Sequence, residues 1–356
     1  MKYTMNQSQY QFIREGFKPF GKLVPDMEIL PKSEEDLQNL ISKKYMSEQY
    51  VVNKELGEAF KVLTKPQGIQ RVGLINLDSN FEIALYCGNE PGALVAMYDT
   101  QEGVVIESPY ENASTLEGLS QYTGQSIIKS TEVNWHLTSD EALIITGLID
   151  LERRSIGRTG VWELESSKIT KHELMTSLDE ESSVNDLRTY ILALTEAKVS
   201  PESLDVILRG LLEKELIEMD EHITLSGEAM GIALRFFSVK NMIRISTGYD
   251  SGSQTYGSEL VILQDGVTDL LSLDVRSDSV LIRSVSSLEI LDLLNAYNED
   301  PQKWLKSVYG DLKKSAQVSE AKVQVAEENV FCVKCGTKKV GEARFCSKCG
   351  NNIEDQ

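Results

Sequence analysis

The sequence predicts an α+β protein made of two similar halves, each an antiparallel β-meander with flanking helices, followed by a small four-cysteine module. Three observations predict this. The same landmarks occur twice in the same order. Strand-length apolar runs alternate with hairpin-sized gaps. Four of the five cysteines stand in two CxxCG repeats near the C-terminal end.

The duplication rests on four pairs of landmarks. A helix opens at SEEDLQNLI (33–41) and again at SPESLDVIL (200–208), placing Leu37 against Leu204. A G-E-A triplet follows at Gly57 and at Gly227. An apolar strand ends in Asp at ALVAMYD (93–99) and at ELVILQD (259–265), and a helix starts at Ser114-Thr115-Leu116-Glu117 and at Ser286-Ser287-Leu288-Glu289. The offsets between partners are 167, 170, 166 and 172. Ahead of these, YTMNQSQYQFI and WHLTSDEALII each read as a short strand, a Thr and a helix, and Thr4 and Thr138 are only 134 apart. The second half therefore carries an extra 33 residues, placed within 152–199.

In chain order, the first half (1–134) opens with that strand and helix, then the helix at 33–41, a short edge strand, and a helix that stops before Pro66, where proline removes a donor. The strands RVGLINL, FEIALYC, ALVAMYD and VVIES follow with short gaps such as DSN and DTQEG, which suit hairpins. In the second half (135–310) the insert reads as a turn GRTG, a strand VWELE, and helices around ITKHELMTSL and SVNDLRTYILALTEA. Its strands are ALRFFSV, MIRIST, ELVILQD, LLSLDV and SVLIRSV, closed by a helix over 286–310. Residues 311–330 lack Gly, Pro and aromatics and read as a polar tether.

At 331–350 the chain reads FCVKCGTKKVGEARFCSKCG. Cys332 and Cys335, and Cys346 and Cys349, deliver four thiolates to one point, which suits tetrahedral structural zinc, one ion per chain. Glycine after each pair lets backbone N–H groups turn toward sulfur. The stretch resembles the zinc-ribbon family. Disulfides are the weaker reading, because MKYTMNQSQY shows no apolar export segment and points to a reducing cytoplasm. Cys87, in FEIALYCG, reads as a buried small hydrophobe.

The stretch KKYMSEQYVVNKELGEAFKVLTKPQGIQRVGLINL, with its helix, short strand, helix and following meander, resembles the EspG family of chaperones of type VII (ESX) secretion, over roughly residues 1–300. That resemblance implies a pseudo-twofold pair of halves and a cytosolic chaperone that keeps a helical export substrate soluble. The zinc ribbon is not part of that family's usual plan.

Charge narrows the partners. The formal net charge is −19, yet 331–350 holds Lys334, Lys338, Lys339, Arg344 and Lys348 against Glu342 alone, a net of +4; with Glu354 and Asp355 counted, residues 1–330 carry −21. Such a body repels phosphate backbones, while the ribbon remains free to touch nucleic acid. No apolar run is long enough to span a membrane. His136, His172 and His222 fall in separate predicted elements, and no catalytic motif accompanies them, so the expectation is a non-enzymatic adaptor or chaperone. For partner contact the candidates are Tyr249 and Tyr256, on the loop TGYDSGSQTYG, and Trp304 on the closing helix. A second reading stays open: the helix–helix–strand unit resembles a winged helix, which would make the chain a regulator that uses its ribbon on nucleic acid. Its candidate reading helices carry Glu55, Glu58 and Glu228 rather than bases.

Overall fold

The structure, a computed structural model, describes residues 1–304 apart from 26–29, 32, 77–79, 91–92, 112, 160–165, 184, 267, 277–278 and 301–302. The tether, the ribbon with its four cysteines, and the strand expected at 161–165 lie outside the described residues.

The first half runs β1 (Lys2–Met5), α1 (Gln7–Glu15), α2 (Glu34–Ser42), α3 (Lys54–Thr64), β2 (Gly68–Asn76), β3 (Asn80–Cys87), β4 (Leu94–Thr100), β5 (Gly103–Glu107) and α4 (Ala113–Thr123). The second runs β6 (Asn134–Thr138), α5 (Ser139–Thr159), α6 (Lys171–Asp179), α7 (Leu187–Leu194), α8 (Pro201–Glu213), β7 (Ile217–Met219), β8 (Ile223–Leu225), α9 (Gly227–Arg235), β9 (Asn241–Asp250), β10 (Thr255–Gln264), β11 (Leu270–Arg276), β12 (Ser279–Ser284) and α10 (Ser287–Glu299). Helix starts follow local chemistry. Asn6 and Gln9 form a capping box on α1, Thr138 and Glu141 exchange the same two bonds at α5, and Ser286 and Glu289 do so at α10. Ser200 caps α8 with Pro201 in its first turn, where no N–H is needed.

Among the described residues ten strands form one antiparallel sheet in the order β1-β5-β4-β3-β2-β9-β10-β11-β12-β6. From edge to centre each half contributes its strands in the same sequence, and the halves meet where β2 pairs β9, from Gly68 opposite Tyr249 to Asn76 opposite Asn241. Between α2 and α3 the chain makes the bridge Met46–Val52; between α8 and α9, the same place in the second half, it makes the β7–β8 hairpin. Side chains alternate across the sheet. On one face Tyr3, Met5, Ile69, Ala84, Tyr86, Val95, Val104 and Ile106 form a core with α1, α2 and α3, centred on the fully buried Phe60. The helices α5 to α9 build a second core with Trp135, Leu137, Val261, Leu263, Leu271, Leu273, Val280 and Ile282.

Several expectations need correction. ALVAMYD lies on β4 and ELVILQD on β10, which do not correspond in the strand order; the counterpart of β10 is β3, the FEIALYC strand. Apolar strands look alike wherever they stand, so composition alone misaligned them. Gly57 sits one turn inside α3, four residues after its cap Asn53, whereas Gly227 directly follows Ser226. ALRFFSV is no strand: α9 runs through Arg235, its helical face burying Ala229, Met230, Ile232 and Ala233, and Phe236 caps it inside the core. GRTG is no turn at its start, because α5 continues to Thr159, held by Ile149 and Ile156 on its buried face.

One glycine is required by its surroundings. Gly103 has φ +123°, and a Cβ there would lie 2.4 Å from the Met5 carbonyl oxygen. Gly103→Ala is therefore expected to cost about 2–4 kcal/mol, from the unfavourable backbone region and the displaced β1. Urea denaturation checks this; a loss below about 0.5 kcal/mol, the usual size of a surface substitution, would contradict it.

Candidate functional site

The face of β2 to β5 opposite α1–α3 carries Val72, Leu74, Phe81, Ile83 and Tyr98, and α4 crosses it with Leu119 and Tyr122. With Gly118, rather than a larger side chain, beside Leu119 in its lining, α4 leaves a groove of about 570 Å³. A Cβ on Gly118 would meet nothing within 4 Å. Two of the groove's aromatic members stay wet: Phe81 is 44% and Tyr122 41% exposed. Phe81 and Tyr98 lie 6.1 Å apart between ring centroids.

The edge of the groove toward β1 is polar. Lys2 Nζ donates to Tyr98 Oη at 2.7 Å and sits 3.1 Å from Glu107, and Tyr98 Oη donates to Glu107 Oε1 at 2.7 Å. The bonds from Tyr98 and Glu107 raise the Lys2 pKa, and burial raises that of Tyr98, so the ammonium and the neutral phenol persist through the physiological range. At the other end Tyr110 hydrogen-bonds Thr115, tying the β5–α4 connection to α4. The arrangement is an apolar trough with one charged rim, able to take apolar side chains of a partner.

The residues expected to make partner contact fall elsewhere. Tyr249 and Tyr256 are directly opposite each other on β9 and β10, with rings stacked at 6.5 Å and 25°, and Tyr249 is buried. The two strands extend to Asp250 and Thr255, so the expected long loop shrinks to a turn at 251–254 and the tyrosines belong to the sheet rather than to a tip. Trp304 packs edge-on against the fully buried Tyr297 at 5.3 Å. Cys87 is buried, and burial pushes its thiol up to about 11, as an inert core residue requires. His172 stands in the first turn of α6 and His222 just before β8, two segments linked by the antiparallel bridge between Ile169 and Ile223. His136 stands apart on β6. Among the described residues no cluster of His, Cys, Asp and Glu suits a metal, and no helix is long and apolar enough to cross a membrane.

No family model matches this chain, and no curated protein matches it. Among solved structures, the type VII secretion system chaperone EspG5 of Mycobacterium tuberculosis, determined in complex with a PE25–PPE41 dimer, is similar with a TM-score of 0.47 and 11% identity. The match covers 82% of this chain and 94% of that one.

Proposed function

We propose that this chain is a cytoplasmic adaptor or chaperone that acts by capture rather than catalysis. Its body holds a helical protein partner in the groove over β2–β5, and its zinc ribbon is a second docking module. The observation that carries the reading is the trough itself: half-exposed Phe81 and Tyr122 over a floor of Val72, Leu74 and Ile83. An amphipathic helix satisfies such a trough by inserting apolar side chains one turn apart. A type VII export substrate is the partner class that the sequence resemblance implies. Cys332, Cys335, Cys346 and Cys349 form an all-thiolate donor set of the kind that closes around a structural zinc.

The test is affinity purification of the full chain from its native cells, with and without nuclease, followed by mass spectrometry of the bound protein and assay of the bound nucleic acid. Gly118→Trp fills the trough without touching the sheet core, and Phe81→Asp places a charge in it. Both variants are expected to retain the wild-type melting temperature and to lose the partner about tenfold or more, the size of effect of a blocked interface anchor. Undiminished capture by both variants overturns the groove. Recovery of nucleic acid alone overturns the adaptor reading in favour of a winged-helix regulator. Against that regulator stand the body's charge and the burden on its reading helices, where Glu228 accepts a bond from Trp135 Nε1 at 2.9 Å and Lys61 is tied to Glu58.

A further inference from the structure

The two ends of the sheet are finished differently. In β1 the residue opposite β5 with paired backbone groups is Tyr3, because Met1 already accepts from the Ser108 N–H in the same register; the groups of Thr4 therefore point outward. They are capped: Thr4 N–H donates to Tyr45 Oη at 3.0 Å, and Lys43 Nζ donates to the Thr4 carbonyl at 3.0 Å. At the other end Val133 accepts from the Ser284 N–H, so Trp135 and Leu137 face β12 and the backbone of Asn134 and His136 points outward. Counting back from the capping boxes, with Asn6 on α1 and Thr138 on α5, His136 occupies the place of Thr4, which corrects the pairing of Thr4 with Thr138 expected from the sequence. No cap covers it among the described residues. Lys214, which comes from the end of α8, is committed to Glu141 at 2.6 Å.

Natural sheets blunt open edges with charge, proline or a covering element. The β6 sequence NWHLT carries no Asp, Glu, Lys, Arg or Pro, and Asn134 and His136 are exposed. It is also self-complementary. Two antiparallel copies centred on His136 set Trp135 across from Leu137 on the apolar face and Asn134 across from Thr138 on the polar face, with no charge in either row.

We propose that β6 is a homotypic docking edge, where a second copy of this chain adds its own β6 antiparallel, centred on His136, to continue the sheet across two molecules. This contact is separate from the groove over β2–β5 and holds or fails independently of it. Five-residue strands bury less than the roughly 1,200 Å² of a stable interface, so the dimer is weak. The charge of −19 on each chain opposes it, so added salt tightens it.

Sedimentation velocity of the full chain with zinc, over roughly 1–300 µM, a range suited to a small interface, tests the proposal. The expected result is a concentration-dependent dimer, strengthened by salt. His136→Pro removes the central N–H, which β12 does not use, and His136→Glu sets two carboxylates face to face. Each is expected to weaken the dimer about tenfold or more with melting unchanged, since like charges or a missing donor directly opposite are unfavourable. His136→Thr, an uncharged strand former, is expected to keep it. If His136→Pro lowers melting, the comparison of His136→Glu with His136→Thr decides. A monomer throughout the range, or a dimer indifferent to both Pro and Glu, overturns the proposal.

Discussion

Asp150→Ala is expected to cost about 3–5 kcal/mol, the loss typical when one partner of a buried ion pair is removed. Asp150 lies on α5, 2% exposed, and its carboxylate accepts three bonds: the N–H of Leu187 at 2.9 Å, the N–H of Arg188 at 3.0 Å, and Arg153 Nη1 at 2.8 Å. The first two are unpaired donors at the start of α7, whose own cap Asp186 makes no capping bond and serves Arg154 and the Ser183 N–H instead. One carboxylate on α5 thus caps the insert helix and neutralises Arg153, which also donates to the carbonyls of Asn185 and Phe237. Truncation strands two helix donors and a 6%-exposed guanidinium together. Urea denaturation at pH 7 measures the loss, and a change below about 1 kcal/mol would show that the insert does not depend on this anchor.

The same group gives the protein a pH signature. Burial pushes the Asp150 carboxyl up to about 6, outweighing Arg153 and the two N–H donors. The unfolded chain titrates this carboxyl near 3.9, so the folded state holds the proton more tightly between those values. The contribution is full below about pH 4 and is lost as pH rises through about 6, a swing of about 3 kcal/mol. Asp150→Asn is expected to remove this slope from a stability profile taken between pH 4 and 7.5, while the acidic surface keeps its own. A variant profile parallel to the wild type would contradict the assignment.

The second large effect concerns the ribbon. Protein purified without added metal is expected to contain one zinc per chain, and Cys332→Ser or Cys346→Ser to abolish it, since losing one of four thiolates sacrifices most of a binding free energy of about 10 kcal/mol. Elemental analysis reads the stoichiometry; zinc near zero in reduced, intact protein would remove the ribbon. Truncation after residue 315 is expected to leave the melting of the body unchanged, because residues 1–304 supply two extensive apolar cores of their own and the tether sequence 311–330 is polar. The truncated chain is expected to lose one partner and retain the other. A large fall in melting temperature with every partner kept would make the ribbon a structural part of the body.

Much of the architecture is legible from local patterns. Ser33, Asn53, Ser200 and Ser286 announce helix starts through their own side chains, and Pro201 confirms one of them. The runs RVGLINL, FEIALYC and LLSLDV declare strands by their β-branched and aromatic content, and their hairpin gaps make neighbours antiparallel. The groove left a trace that could have been read: FEIALYC places Phe81, Ile83 and Leu85 on one face and Ala84 and Tyr86 on the other, so that strand had to be covered on both sides. A glycine at the centre of α4 was the sign that one cover would be incomplete.

The sequence by itself determined the helix starts, the meanders and the spacing of the four cysteines, because each is encoded within a few residues by spacing, capping and polarity. Only the tertiary structure decided which strands correspond, since that depends on the β2–β9 seam between residues far apart in the chain, and a slip of one strand leaves the apolar content unchanged. It likewise took Tyr249 and Tyr256 from a supposed tip into the sheet, because two strands already in register gain a bond for every residue by which they extend. Asp150 could not be linked to Leu187 and Arg188 from a string of letters. A buried charge is placed by the donors that surround it, and those are gathered only when α5 and α7 pack.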